Sequence, residues 1–190
     1  MPHLTRLLIL LVVAALAVML VAGLAFWSLD EVRRVRRGLK RVLKGDAHGF
    51  LAALGRGRGI GFNFTSHTVA VVWDKGSWGL VYALDELMGA EVIVDRQVVD
   101  AVDRGKGRRG FDASDAELQV ALRLVFDDTA RPDFVLDLWL PEDSGRRNEL
   151  APREAIAEAK RWLGRIETML RQPSRARPVA PALGPAAEPR

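Results

Sequence analysis

Apolar and polar positions along the chain form three successive patterns. No residue from Leu7 to Trp27 is charged or strongly polar. After Gly59, short runs alternate apolar and polar residues, which is the period of a strand with one buried face. From Pro152 to Pro173, apolar residues recur at every third or fourth position, which predicts an amphipathic helix bounded by the two prolines. The chain is therefore expected to contain an apolar segment, a strand-rich domain and a closing helix.

The apolar segment is long enough to cross a membrane. About 20 apolar residues in a helix span the ~30 Å hydrocarbon core of a bilayer. A cleaved signal peptide is the alternative, since Gly23 and Ala25 supply the small residues that a peptidase prefers. The length of the run and the basic residues after it favour an uncleaved transmembrane helix. More basic residues follow the run than precede it, so the rest of the chain is expected on the cytoplasmic face of a bacterial inner membrane.

A basic segment follows the apolar run. Ser28 and Glu31 match a capping box that starts a helix. Apolar residues at positions 32, 35, 39 and 42 share one helical face, which leaves the basic residues on the other. The residues expected to contact an anionic membrane surface are Arg33, Arg34, Arg36, Arg37, Lys40, Arg41 and Lys44. A short dimerising coiled coil and a solvated stalk are the alternatives, and the glycines that follow predict a flexible linker as far as residue 59.

The region after residue 59 is predicted to form antiparallel strands. Turn residues separate seven runs with the periodicity of strands. These runs cover residues 60–64, 68–73, 78–84, 91–94, 97–101, 117–126 and 134–140. The closing helix, predicted over 152–171, carries Ile156, Ala159, Leu163 and Ile166 on the face that should pack against the strands. The Pro/Ala-rich residues 173–190 are expected to be a disordered tail.

Four features of residues 60–171 carry a resemblance to a known group of proteins. They are the break at Asp85–Leu87, the strand Glu91–Asp95, the segment Leu122–Asp128 with Pro132 after it, and the A-x-x-x-A-x-x-W spacing from Ala155 to Trp162. With these features the chain resembles uncharacterised bacterial membrane-anchored proteins that have a pleckstrin-homology-like domain. The resemblance implies an α+β fold, in which an N-terminal transmembrane helix precedes a seven-stranded antiparallel, partly open barrel capped by the C-terminal helix. Lipid-binding members of the wider fold have basic residues between their first two strands, whereas Thr65-Ser66-His67 contains no lysine or arginine.

The distribution of charge along the chain indicates which class of partner the protein binds. The net charge of +4 combines basic residues 1–59 and 173–190 with an acidic stretch from 60 to 172. A basic excess beside an apolar segment indicates a membrane surface and no nucleic acid. The expected organisation is a transmembrane anchor over 1–27, a juxtamembrane helix and linker over 28–59, a domain over 60–172 and a tail over 173–190. The expected partners are a membrane crossed once, anionic lipid and a protein that the sequence does not identify.

One glycine-rich loop in the acidic domain is strongly cationic. It runs Arg104-Gly105-Lys106-Gly107-Arg108-Arg109-Gly110. Glycine backbone can form a nest for an anion, so a phosphate or a lipid headgroup would suit this loop. The loop lacks the spacing of a phosphate-binding P-loop. Arg104, Lys106, Arg108 and Arg109 are therefore candidate ligand-binding residues, and a solvated hairpin loop is the alternative.

No combination of residues indicates a catalytic centre. The chain has no cysteine and three histidines, which argues against disulfides, thiolate metal sites and imidazole-rich metal sites. Asp127, Asp128 and Asp133 are expected to flank a turn, Asp137 to point outwards from a strand, and His67 to lie alone in a turn. We expect no catalytic residue, no metal and no cofactor.

These observations favour an interaction or scaffold module at the cytoplasmic membrane face over an enzyme. Such a module would bind a protein partner or anionic lipid. The alternative is an enzyme, or an accessory subunit of a membrane enzyme, with a pocket under the C-terminal helix.

Overall fold

The computed structural model describes residues 31–111, 113, 115–143 and 150–171, together with positions 6, 13, 16, 18–20 and 23. Within these ranges the chain forms nine strands, a helix α1 over residues 31–42 and a C-terminal helix α2. The bounds are β1 (Gly49–Ala53), β2 (Arg58–Asn63), β3 (Thr68–Trp73), β4 (Trp78–Ala83), β5 (Leu87–Val94), β6 (Gln97–Asp103), β7 (Gly107–Gly110), β8 (Val120–Phe126), β9 (Asp133–Trp139) and α2 (Pro152–Leu170). The expected disordered tail over 173–190 lies outside the described residues.

The strands form two antiparallel sheets. Four strands form a meander in the order β1-β2-β3-β4, and five strands form a sheet in the order β7-β6-β5-β8-β9. The seven-stranded, partly open pleckstrin-homology-like barrel expected from the sequence is therefore wrong. Each of the seven predicted runs contributes a strand, but the described residues hold two further strands and divide all nine between two sheets.

The sequences of the two additional strands, β1 and β7, lack the alternating apolar pattern that predicts a strand. Strand β1 lies in the stretch expected to be a flexible linker, and its five residues, GFLAA, include one glycine and two alanines. Strand β7 lies in the cationic loop, and all four of its residues, GRRG, are exposed. Both strands exist because a neighbour pairs with them, β2 with β1 and β6 with β7. Their side chains support the pairing through contacts that are not local in sequence: Leu51 and Ala53 of β1 are buried in the core, and Arg108 of β7 binds Asp100 of β6.

A two-residue turn joins β5 to β6 and organises the chain before β8. Asp95 and Arg96 have φ angles of 50° and 68°, which the primed hairpin turns require. The Asp95 carboxylate accepts backbone hydrogen bonds from Leu118 at 2.7 Å, from Glu117 at 3.1 Å and from Gln119 at 3.0 Å. These bonds, above all the one from Leu118, hold the pKa of Asp95 below its ordinary value. The turn therefore fixes where the segment leading into β8 begins.

One apolar core lies between the two sheets and α2. The helix begins at Pro152, as the sequence predicts, and its Ile156, Ala159, Leu163 and Ile166 are buried. The Trp162 ring stacks on Phe62 of β2, with 5.8 Å between ring centroids. The helix therefore packs on the five-stranded sheet and also reaches the four-stranded one.

Helix α1 packs on the opposite face of the four-stranded sheet. Its Val35 and Leu39 are buried there in a second apolar cluster with Ala70 and Val72 of β3. Glycines allow the helix to approach closely, since a Cβ at Gly59 would lie 2.5 Å from Val35 Cγ1. Glycines at positions 61 and 79 face α1 in the same way. Strands β2 and β3 are thus covered on both faces, which explains why β3 reads as a continuous apolar run.

The N-terminal prediction requires a correction. Among the residues that the structure describes, no helix is both long enough and apolar enough to cross a membrane. This finding contradicts the transmembrane helix expected from Leu7 to Trp27. Of that range, only positions 13, 16, 18–20 and 23 are described.

Candidate functional site

The solvent-facing side of α1 and the turn after it form a strongly basic surface, which we call the basic face. All seven basic residues singled out from the sequence are exposed: Arg33, Arg34, Arg36, Arg37, Lys40, Arg41 and Lys44. At 100° per residue, those on the helix occupy about 160° of its circumference. The buried residues Val35, Leu39 and Leu43 lie on the other side. The sheet therefore holds the helix in the orientation that presents its cations outwards.

The helix is also anchored through an acidic side chain at its start. The Glu31 carboxylate accepts backbone hydrogen bonds from Gly55 at 3.1 Å and from Gly57 at 2.7 Å. It thereby joins α1 to the turn between β1 and β2. The local sequence predicts a capping box between Ser28 and Glu31, and Ser28 lies outside the described residues. The tertiary partner in the glycine turn was not anticipated, because nothing in the local pattern indicates it.

Interactions within the basic face are those of a solvated surface. Lys40 Nζ lies 2.8 Å from the Asp46 carboxylate, and both side chains are more than half exposed. This hydrogen bond lowers the pKa of Asp46 from its ordinary value. The Arg36 guanidinium lies 5.5 Å from the centroid of the Phe50 ring. Exposed contacts of this kind contribute little to stability, so replacing Lys40 or Arg36 should leave the domain folded.

The cationic loop from Arg104 to Gly110 is organised differently, because its arginines bind groups of the domain itself. Arg104 donates to the backbone carbonyls of Leu87 at 3.2 Å and of Leu84 at 2.9 Å. These bonds fasten the loop to the start of β5. Lys106 is exposed. The glycines at 105 and 107 have φ angles of 84° and 75°, as the tight turn between β6 and β7 requires.

Two neighbouring arginines of β7 pair with carboxylates of β6. Arg108 binds Asp100 through two nitrogens, with Nη2 at 2.6 Å and Nε at 3.0 Å. The Asp100 side chain is only 5% exposed, and the hydrogen bond to it raises the pKa of Arg108. Arg109 pairs with Asp103 at 2.7 Å, where both partners are more accessible. An anion that approached β7 would meet two arginines that are already paired with carboxylates of β6.

Arg108→Met is expected to lower the free energy of unfolding by about 2–3 kcal/mol, because Asp100 would stay buried without its partner. The measurement is denaturant unfolding at neutral pH. Arg109→Met is the matched control on the same strand. Because the pair with Asp103 is exposed, that change should cost less than about 1 kcal/mol. Equal losses for both variants would contradict a structural role specific to Arg108.

A cavity of about 380 Å³ lies beside this loop, between the β6–β7 hairpin and the last turn of α2. Asp103 and Glu167 contribute carboxylates to its lining. Both already have arginine partners, Arg109 for Asp103 and Arg171 for Glu167, the latter at 2.6 Å. The sequence analysis placed a possible enzyme pocket under the C-terminal helix. The cavity found there is lined by paired charges.

Three of the aspartates that the sequence places at a turn or on a strand have partners within the domain. Asp128 accepts hydrogen bonds from the Tyr82 hydroxyl at 3.2 Å and from the Ala130 backbone at 2.9 Å. Asp137 accepts one from Gln119 at 2.6 Å, and Asp133 lies 3.9 Å from Arg123. Within the described ranges, no three potential ligand side chains come together around a common point.

The comparisons with known proteins add no name to this geometry. No protein-family model matches the chain, and neither a curated protein nor a solved structure matches it. The basic face of α1 is therefore the candidate site on the strength of its own geometry and charge.

Proposed function

We propose that this protein is an interaction module whose basic face binds the anionic surface of a membrane. The expected surface is the cytoplasmic leaflet of a bacterial membrane, which carries negatively charged lipids. The observation that carries the proposal is the orientation of α1. Its apolar side is already occupied by the four-stranded sheet, and its six basic residues, together with Lys44 in the turn after it, all face solvent.

Charge and rigidity both support this proposal. Each basic residue close to an anionic leaflet contributes about 1 kcal/mol of attraction. A helix packed on a sheet presents its cations together, without the ordering cost that a flexible segment pays on binding. Residues 60–172 are acidic overall and would be repelled by the same lipids. An anionic surface should therefore orient the protein with α1 towards the lipid.

The residues around the basic face favour lipid over nucleic acid as its ligand. The chain before α1 is apolar from Leu7 to Trp27, and basic residues beside apolar sequence are typical of protein at a lipid surface. Phe50, an aromatic ring beside the basic face, lies under Arg36 and is only partly exposed. It does not form the row of exposed rings on which single-stranded nucleic acid stacks.

The test measures binding of the full chain to phosphatidylcholine vesicles with and without phosphatidylglycerol. The wild type should bind the anionic vesicles more tightly, and the difference should shrink as salt shortens the Debye length from about 10 Å at 0.1 M to about 3 Å at 1 M. Changing Arg33, Arg37, Lys40 and Arg41 together to glutamine should weaken binding to anionic vesicles by about 10²–10³-fold. Binding to neutral vesicles should not change.

A matched control separates the basic face from net charge. Changing Arg153, Arg161, Arg165 and Arg171 of the α2 region to glutamine removes the same number of exposed cations. That variant should retain most of the affinity for anionic vesicles. Equal losses for the two variants, or binding by the wild type that ignores lipid charge, would show that the basic face is not the site.

A further inference from the structure

The edge of the four-stranded sheet at β4 differs from the other described sheet edges. Strand β4, with the sequence WGLVYA, has no charged residue. By contrast, β7 carries Arg108 and Arg109, and β9 carries Asp133 and Asp137. Strand β1, the remaining edge, lies against β9. Charges and covering segments are the usual protection of edge strands, and β4 has neither among the described residues.

The backbone register shows which groups of β4 point outwards. The Leu84 N–H donates to the His67 carbonyl at 2.8 Å across the β3–β4 pair. Hydrogen-bonded positions alternate along an antiparallel ladder. Gly79 and Val81 therefore direct their N–H and C=O groups away from β3. Ala83 belongs to the same set of alternating positions as Gly79 and Val81. Its N–H donates to the Glu86 carboxylate at 2.7 Å, which agrees with this assignment.

Large apolar side chains accompany these outward backbone groups. The Trp78 side chain is 65% exposed and Val81 is 48% exposed. Within the described part of the chain, β4 pairs with β3 and with no other strand. An uncharged edge with exposed apolar side chains is a template for another strand.

We infer that β4 pairs with β4 of a second copy of this chain, antiparallel, with Gly79 opposite Val81. Gly79 and Val81 of each copy then exchange N–H···O=C bonds with Val81 and Gly79 of the other, which makes four bonds between the chains. Leu80 faces its own counterpart across the two-fold axis. Trp78 of one copy lies opposite Tyr82 of the other, an aromatic pair of the kind that stabilises adjacent strands.

Charge complementarity favours a second copy of this chain as the partner that pairs with the β4 edge. The Trp78 end of β4 lies beneath the basic helix, since glycines at positions 76 and 79 pack against α1. The other end continues into Asp85 and Glu86. Antiparallel pairing of two copies brings the acidic end of each towards the basic helix of the other. A two-fold contact of this kind also closes on itself and leaves no further edge at β4.

The symmetry has a consequence for the basic face. The two-fold axis that relates neighbouring antiparallel strands is perpendicular to the sheet, so both α1 helices lie on the same side of an eight-stranded sheet. The dimer would present two basic faces to one surface. This arrangement would reinforce lipid binding through two linked contacts, but the pairing itself does not depend on the proposed lipid function.

The first test is the mass of the full chain by sedimentation. The wild type should sediment as a dimer at the higher concentrations, and Val81→Lys should shift it to a monomer because the charge occupies the paired edge. Val98→Lys, at a similarly exposed site on the interior strand β6 (41% exposed), is the control and should remain a dimer. Melting temperatures show that both variants are folded. A monomeric wild type, or a Val81→Lys dimer, would overturn the inference.

A cross-link tests the register independently. The chain has no cysteine, so a single introduced thiol can be followed without interference. Facing residues of an antiparallel pair have Cα atoms about 4.5–5.5 Å apart, within the range of a disulfide. Leu80→Cys should therefore form a disulfide-linked dimer on oxidation, whereas Val98→Cys should not. Absence of the Leu80→Cys cross-link, or equal cross-linking of both variants, would contradict the pairing.

Discussion

Replacing Leu163 with alanine is expected to lower the free energy of unfolding by about 2–5 kcal/mol. Leu163 lies in the middle of α2, is 0% exposed, and belongs to the core shared by both sheets and the helix. Removing its side chain loses the transfer free energy of the buried carbons and leaves a cavity that close-packed neighbours fill only in part. Denaturant unfolding of the purified variant measures the loss.

The control for this change is Leu118→Ala. Leu118 is 51% exposed, so the same chemical change there should alter stability by less than about 0.5 kcal/mol. If Leu163→Ala were as mild as Leu118→Ala, the face of α2 that carries Leu163 would not be buried against the sheets.

Replacing Arg56 with methionine is expected to cost about 3–5 kcal/mol. Arg56, in the turn between β1 and β2, bonds to the Asp143 carboxylate at 2.6 Å and joins the four-stranded sheet to the segment after β9. The two side chains are 16% and 4% exposed, so this pair is the least accessible ion pair of the described residues. Without the guanidinium, Asp143 would keep a buried charge supported by its hydrogen bond from the Leu140 backbone at 2.9 Å.

Arg58→Met provides a matched comparison for this loss. Arg58 is two residues away and also reaches the five-stranded sheet, but it donates a 3.3 Å hydrogen bond to the Val135 carbonyl and remains exposed. Its replacement should cost less than about 1 kcal/mol. Equal losses at positions 56 and 58, measured by denaturant unfolding, would show that the Arg56–Asp143 pair does not lock the two sheets together.

Much of the secondary structure could be predicted from local pattern. Seven strands and α2 have apolar residues at the period of a half-buried strand or helix, and that period follows from the direction in which successive side chains point. Strands β1 and β7 have almost no such pattern. Strand β1 is rich in small residues and the residues of β7 are exposed. Neither sequence therefore shows a pattern from which its pairing with β2 or β6 could be predicted.

Gly59 in β2 and Gly79 in β4 show why glycines in a sequence do not by themselves predict a flexible segment. A cluster of glycines in sequence predicts flexibility. In the folded chain, Gly59 and Gly79 instead leave room for Val35 and Val42 of α1 to approach the sheet. A glycine that permits close packing and one that permits bending are identical in sequence, and the element packed against it makes the difference.

For the candidate site, the composition of α1 could be predicted but the surface it covers could not. The spacing of its apolar residues already separates a basic face from an apolar one. Whether the apolar face meets lipid, a second helix or the protein's own sheet depends on residues far along the chain. The structure places Ala70 and Val72 of β3 against it.

Local sequence predicts the period of most strands, the start of α2 and the separation of α1 into an apolar and a basic side. These follow from neighbouring residues and the geometry of the backbone. Which cations stabilise the fold and which face solvent depends on contacts between elements that are far apart in the chain. Arg108 and the basic residues of α1 carry the same charge, but Arg108 has the buried Asp100 beside it and the α1 residues face water. A charge is committed to the fold when a partner is held next to it out of solvent, and that depends on how the strands pair and pack.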